Sequence, residues 1–194
     1  MFNIDEVLRI LRSKPDKKLI ADIEEMAELM EDKISKRHIK AEFPVRTENG
    51  IVYISDIEIE SKYLADLVSG MEKCTVMAAT IGIEAEKFIS FQSKISALGG
   101  LIADAIASAE AEGYCDEIAG AQSRRYSPGY GDFGLDNQKK ILKLLNAEKN
   151  LGIYLTPENI MKPRKSITAI IINKPNIPKC SICKNCKIEC NFKK

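Results

Sequence analysis

The feature that most constrains the fold is a turn signal, Asn49-Gly50, set between the β-rich runs Ala41–Thr47 and Ile51–Glu60. Asn-Gly takes up the positive-φ turn geometry that matches the twist of antiparallel strands, so the chain must double back here as a β-hairpin. Pro44 lacks a backbone donor and marks an edge strand or a bulge. Two apolar stripes at 3-and-4 spacing precede the hairpin. The first is Ile4, Val7, Leu8 and Leu11; the second is Ile20, Ile23, Ala27, Met30 and Ile34, after a break at Pro15-Asp16. They predict two amphipathic helices joined by a short turn.

Downstream, Ser61 is a plausible N-cap for a short helix that closes near Gly70, and residues 74–80 read as a buried strand. The stretch from Glu84 to about Ile118 is predicted as two helices broken near Ser93 or Gly99-Gly100. Its second part is crowded with Gly, Ala and Ser, the composition of a helix packed closely on its neighbours. A further amphipathic helix follows Asp136, a candidate cap, and Thr156-Pro157 resembles an N-cap followed by proline at the first helical position. Residues 166–174 are a β-branched run and read as a strand. Helices and strands mix without regular alternation, so the expected class is α+β, with mixed helices around a twisted, mainly antiparallel sheet.

Composition narrows the function. With 29 Lys and Arg against 28 Asp and Glu, no whole-molecule field draws the chain to nucleic acid or to a membrane. No apolar run approaches the roughly 20 residues that span a bilayer, and the N-terminus does not read as a signal peptide, so a soluble cytoplasmic protein is expected. One histidine, His38, and no tryptophan leave little room for a Ser-His-Asp centre or a multi-histidine metal site; His38 is assigned no role. Cys74 and Cys115 lie in apolar segments and read as ordinary buried cysteines. The expected organisation is a ligand-binding domain over residues 1–174 and a linker with a cysteine-rich tail over residues 175–194.

Two constellations carry chemistry. The tail places Cys180, Cys183, Cys186 and Cys190 at ferredoxin-like spacing, except that Asn191 stands where proline usually follows the last cysteine. A metal is expected on these thiolates, iron–sulfur first and a four-cysteine zinc site second, with unliganded or redox-active thiols as the third reading. The second constellation is Ser123–Gly134, a loop with two arginines, two tyrosines, a proline and three glycines between two predicted helices. Glycines open backbone geometries closed to other residues, aromatic rings offer flat surfaces, and Arg125 can clamp a carboxylate with two parallel hydrogen bonds. An adenosine or amino-acid ligand suits such a loop; an ordinary structural loop is the alternative.

Arg125-Tyr126-Ser127-Pro128-Gly129-Tyr130 resembles the Arg-x-x-Pro-Gly-Tyr motif of the activation domain of cobalamin (vitamin B12)-dependent methionine synthase. Ala111–Glu117, Thr80-Ile81-Gly82, Leu155–Glu158 and Met161–Ala169 are similar to further segments of that family, in the same order, so the resemblance covers roughly residues 74–173. It implies that the chain binds S-adenosylmethionine. Arg125 would pair with the methionyl carboxylate and Glu112 would face the amino group. Ser127 would contribute mainly backbone contacts, Tyr130 would shape the adenosyl pocket, and Pro128 and Gly129 of the motif would belong to the same ligand site. The family's reaction is the reductive methylation of cob(II)alamin, with the methyl group taken from S-adenosylmethionine. The resemblance therefore implies a stand-alone activation subunit working on cobalamin held by a separate methionine synthase subunit, with no catalytic acid or base of its own. Reduced flavodoxin or ferredoxin would supply the electron. Two alternatives stay open: a reactivator of another corrinoid methyltransferase, and a zinc-knuckle nucleic-acid-binding or scaffold protein.

Overall fold

The computed structural model describes residues 3–121 and 123–173. The chain forms two compact units, each assembled from three stretches of sequence. The first takes Met1–His38, Ala79–Ile118 and Glu148–Ile167; the second takes Ile39–Ala78, Ala119–Ala147 and the chain from Thr168 on.

In the first unit, α1 (Ile4–Leu11) starts at Asn3, whose side chain accepts from the amides of Asp5 and Glu6, and α2 (Lys17–Met30) starts at Asp16, which accepts from those of Lys18 and Leu19. These caps satisfy amides that have no partner within the helix. A 3-10 turn, Glu31–Lys33, follows. The predicted helical pair appears as α4 (Ile83–Ile95) and α5 (Ala97–Ala119), so the break falls at Ser96, between the two positions expected. Gly99 and Gly100 lie inside the first turn of α5. A Cβ on Gly100 would overlap Ser93, so glycine there permits the tight helix-to-helix step.

Buried residues of α5 include Ala103, Ala105, Ile106, Ala107, Ala109 and Ala111, spread around the helix rather than along one stripe. With Val7, Leu8, Ile23, Met30, Ile81 and Ala85, this helix builds the unit's core. No helix among the described residues is long and apolar enough to cross a membrane.

The sheet has six strands in the order β3-β2-β1-β4-β8-β5: β1 (Arg37–Glu48), β2 (Ile51–Ile54), β3 (Ile57–Glu60), β4 (Lys73–Thr80), β5 (Arg124–Tyr126) and β8 (Ser166–Ile172). The predicted hairpin is present. Glu48 pairs with Ile51 across Asn49-Gly50, both at positive φ. The second β-rich run, read as one strand, is instead two: Ile54 pairs with Ile57 around Ser55-Asp56, with Ser55 also at positive φ. Nor is β1 an edge strand, since β2 and β4 flank it. Pro44 is tolerated because the register with β2 begins only at Val45↔Ile54.

In the second unit, Ser61 caps α3 (Lys62–Val68) by accepting from the amide of Leu64 at 3.0 Å. The helix α6 (Asn137–Leu144) does form, but Asp136 is itself in helical geometry and makes no side-chain cap. The short helix α7 (Ala147–Leu151) was not foreseen. In the first unit, no helix starts at Thr156-Pro157. The Thr156 hydroxyl accepts from the amide of Ile160 and closes a hairpin between β6 (Tyr154–Leu155) and β7 (Met161–Lys162).

Candidate functional site

The segment singled out from sequence lies in the second unit, where β5 runs into a closed loop. Strand β5 pairs antiparallel with β8, Arg125 opposite Ile171 and Tyr126 opposite Ile170. Successive side chains of a strand point to opposite faces, so Tyr126 and Arg125 diverge. Tyr126 is 2% exposed. Its ring meets Tyr63 edge-to-face at 5.2 Å and stacks with Phe133 at 5.6 Å. These three rings form a buried hub.

Three backbone hydrogen bonds close the loop: Gly129 N–H to Phe133 O at 2.7 Å, Tyr130 N–H to Ser127 O at 3.2 Å, and Phe133 N–H to Tyr130 O at 2.9 Å. Gly129 has φ +92°, a region L side chains rarely enter; the space around it would admit a Cβ, so its backbone angle is what requires glycine. Pro128 is buried, Arg125 and Ser127 are half-buried, and Tyr130 is 46% exposed. The tyrosine carried outward is thus held on an ordered turn.

The residues that fasten this loop were missed by the sequence reading. Asp132 accepts from the Ser61 hydroxyl at 2.6 Å and from the Tyr63 amide at 3.1 Å. The Tyr126 hydroxyl donates to Tyr130 O at 2.9 Å and lies 3.4 Å from the Asp132 carboxylate. From sequence, Ser61 is legible only as a cap and Tyr126 only as an incidental aromatic. Asp132 carries no local signal, because its partners are some 70 residues away.

Glu112 lies on α5 in the first unit and is half-buried. The same unit holds the other segments on which the resemblance rests, the last of them as far as Ile167. Gly82, at the entry to α4, has φ +91° and donates its amide to the Thr80 hydroxyl, which also accepts from Ser166 at 2.9 Å. Glu86 accepts from Lys162 Nζ at 2.6 Å and from the Arg164 amide at 2.8 Å. Burial raises the Glu86 pKa, but the Lys162 and Arg164 contacts outweigh it and hold the carboxyl below its usual value. The Lys162-Pro163 peptide bond is cis.

His38, given no role from sequence, shares a 2.6 Å hydrogen bond through Nδ1 with the Tyr114 hydroxyl. Lys36 lies 5.7 Å from the centre of the Tyr114 ring and pairs with Glu110 at 2.8 Å. An open cleft beside this group has Glu24, Glu28 and Glu110 on its walls over Ala27, Ile34 and Ile106, and none of the expected site residues lines it. Cys74 and Cys115 are buried and belong to no disulfide, and burial pushes the Cys74 thiol up to about 12. Among the described residues no three His, Cys, Asp or Glu side chains gather as metal ligands would. The four cysteines of the expected metal site, Cys180 to Cys190, lie outside the described residues.

No curated protein sequence matches the chain. Residues 120–187 match the family model of the vitamin B12 dependent methionine synthase activation domain, a span that takes in the whole Arg125–Tyr130 loop. Among solved structures, the chain is similar to the crystal structure of the MetH reactivation domain bound to AdoHcy. The TM-score is 0.72, over 90% of this chain and 71% of that one, at 18% identity. At that identity the likeness is one of fold, mixed helices around a curled antiparallel sheet. The chain therefore carries, over residues 120–187, a match to the vitamin B12 dependent methionine synthase activation domain, and as a whole it shares the fold of the MetH reactivation domain.

Proposed function

We propose that the chain binds S-adenosylmethionine through the Arg125–Tyr130 loop and supports the reductive methylation of cobalamin carried on a corrinoid-binding partner. The observation that carries this reading is the placement of the family match on a loop whose backbone is closed by three hydrogen bonds and which holds Tyr130 outward. The related structure was solved with AdoHcy, which differs from S-adenosylmethionine by the transferable methyl group.

The residues fit such a ligand. A guanidinium presents two parallel donors to a carboxylate, and Arg125 lies at the entrance to the loop on the face away from the buried hub. Tyr130, exposed on the same loop, offers a flat ring, and the turn from Ser127 to Gly129 offers backbone groups. Glu112 is the expected partner of the ligand's ammonium group. Bound cobalamin supplies the nucleophile for the sulfonium methyl. This chain's residues bind and orient the donor, and orientation of this kind lowers a bimolecular barrier by several kcal/mol on the order of magnitude of effective-molarity effects.

Calorimetry with S-adenosylmethionine tests the reading: wild type binds, Arg125→Ala loses at least tenfold in affinity, and Glu112→Gln loses less. Failure of wild type to bind, or equal binding by Arg125→Ala, rejects it. Action as a separate subunit predicts co-purification with a cobalamin-binding protein, from methionine synthase or another corrinoid methyltransferase, and reduction by flavodoxin or ferredoxin. A cluster on Cys180, Cys183, Cys186 and Cys190 predicts iron in anaerobically purified protein; zinc without iron would leave the tail a structural knuckle.

A further inference from the structure

We infer that Asp132 is a positioning residue for the proposed S-adenosylmethionine loop: it sets the direction of Arg125 and the shape of the Ser127–Tyr130 turn by clamping both to the start of α3. This rests on the functional reading above. Asp132 Oδ1 accepts from the Ser61 hydroxyl at 2.6 Å and Oδ2 from the Tyr63 amide at 3.1 Å. The Tyr63 amide belongs to the first turn of α3, where a helix offers it no partner. Ser61 has accepted from Leu64 and has its own proton to give. One carboxylate on the loop therefore satisfies two donors of a helix end.

The clamp reaches the binding segment through Tyr126. The single phenolic proton of Tyr126 is shared between Tyr130 O at 2.9 Å and Asp132 Oδ1 at 3.4 Å. Tyr126 precedes the Ser127–Gly129 turn and Tyr130 follows it, so both ends of the turn are tied to one hydroxyl that Asp132 faces. Tyr63, whose amide Asp132 accepts, packs its ring on Tyr126. Strand β5 is thereby fixed in its roll about its own axis. Because Arg125 alternates with Tyr126 along that strand, fixing the Tyr126 ring on the buried face fixes where the Arg125 guanidinium is sent. Both Asp132 oxygens are engaged within the protein, so its effect on a ligand passes through the loop.

The test is a binding cycle in the full-length protein. S-adenosylmethionine affinity is measured for wild type, Asp132→Ala, Arg125→Lys and the double variant, with Arg125→Lys keeping a cation so that binding stays measurable. Amide hydrogen exchange at Tyr63 and Tyr130 is followed in parallel without ligand. Asp132→Asn repeats the series if the alanine variant folds poorly. A positioning role predicts at least a tenfold loss for Asp132→Ala, a loss under twofold when the same change is made on Arg125→Lys, and faster exchange at both amides. Unchanged affinity, or the same loss on both backgrounds, overturns the inference. If wild type binds no S-adenosylmethionine the functional reading fails, and exchange alone then judges the clamp: unchanged rates at Tyr63 and Tyr130 in Asp132→Ala reject it.

Discussion

The core around α5 and the aromatic hub beneath the Ser127–Gly134 loop are both buried to within a few per cent, yet they are held by different physics. Around α5, Val7, Ile23, Met30, Ile102 and Ile106 meet a run of buried alanines, and the contacts are apolar and non-directional. In the hub, Tyr63, Tyr126 and Phe133 meet at specific ring geometries, and the Tyr126 hydroxyl is tied to the loop backbone. Non-directional packing tolerates volume-conserving exchange at small cost. A ring whose hydroxyl must reach one carbonyl does not. The first arrangement gives stability; the second gives stability and aim.

The largest expected effect separates these roles. Phe133→Ala removes a fully buried ring and should cost about 3–5 kcal/mol in denaturant unfolding. In the fraction that remains folded it should also weaken S-adenosylmethionine binding, because the loop rests on that ring. Lost stability with unaltered affinity would reduce the hub to ordinary core. Ile106→Ala should cost about 2–5 kcal/mol and weaken binding less than Phe133→Ala does, since it leaves the rings and hydrogen bonds that hold the loop in place. A change in affinity as large as that of Phe133→Ala would erase the distinction.

The smallest effect sharpens the comparison from the polar side of the first unit. The Glu86 carboxyl is held below its ordinary value of 4.5, so it stabilises the fold above that pH, and the contribution fades as pH falls through the lower folded value. Glu86→Gln should lose about 1 kcal/mol at pH 7 and show a shallower acid dependence in urea midpoints taken above and below pH 4.5. Parallel pH profiles for wild type and variant would show that the Lys162 and Arg164 contacts contribute nothing.

What was legible in the sequence was local. Asn49-Gly50, the Ser61 cap and the crowded alanines of α5 each state their structure within a few residues, and the proposed binding loop announces itself through Arg125, Pro128, Gly129 and Tyr130. What failed was local grammar overruled by tertiary context. Ser55-Asp56 forms a turn without glycine, and Thr156 places its hydroxyl on a hairpin amide rather than on a helix. Asp136 stands where a cap belongs, yet its backbone has already entered helical geometry. Asp132 was invisible for a different reason, since nothing near it in sequence needs a carboxylate.

The span between Ser61 and Asp132 has a consequence for synthesis. The two residues are 71 positions apart. At ribosomal speeds of roughly 5–20 residues per second, α3 is made about 4–14 s before its acceptor exists. During that interval the Tyr63 amide must bond to water, and closing so long a loop carries an entropic cost that grows with its length. The Ser127–Gly134 loop therefore cannot fasten to α3 until residue 132 is made, and a nascent chain ending before it carries the α3 segment without the carboxylate that clamps it.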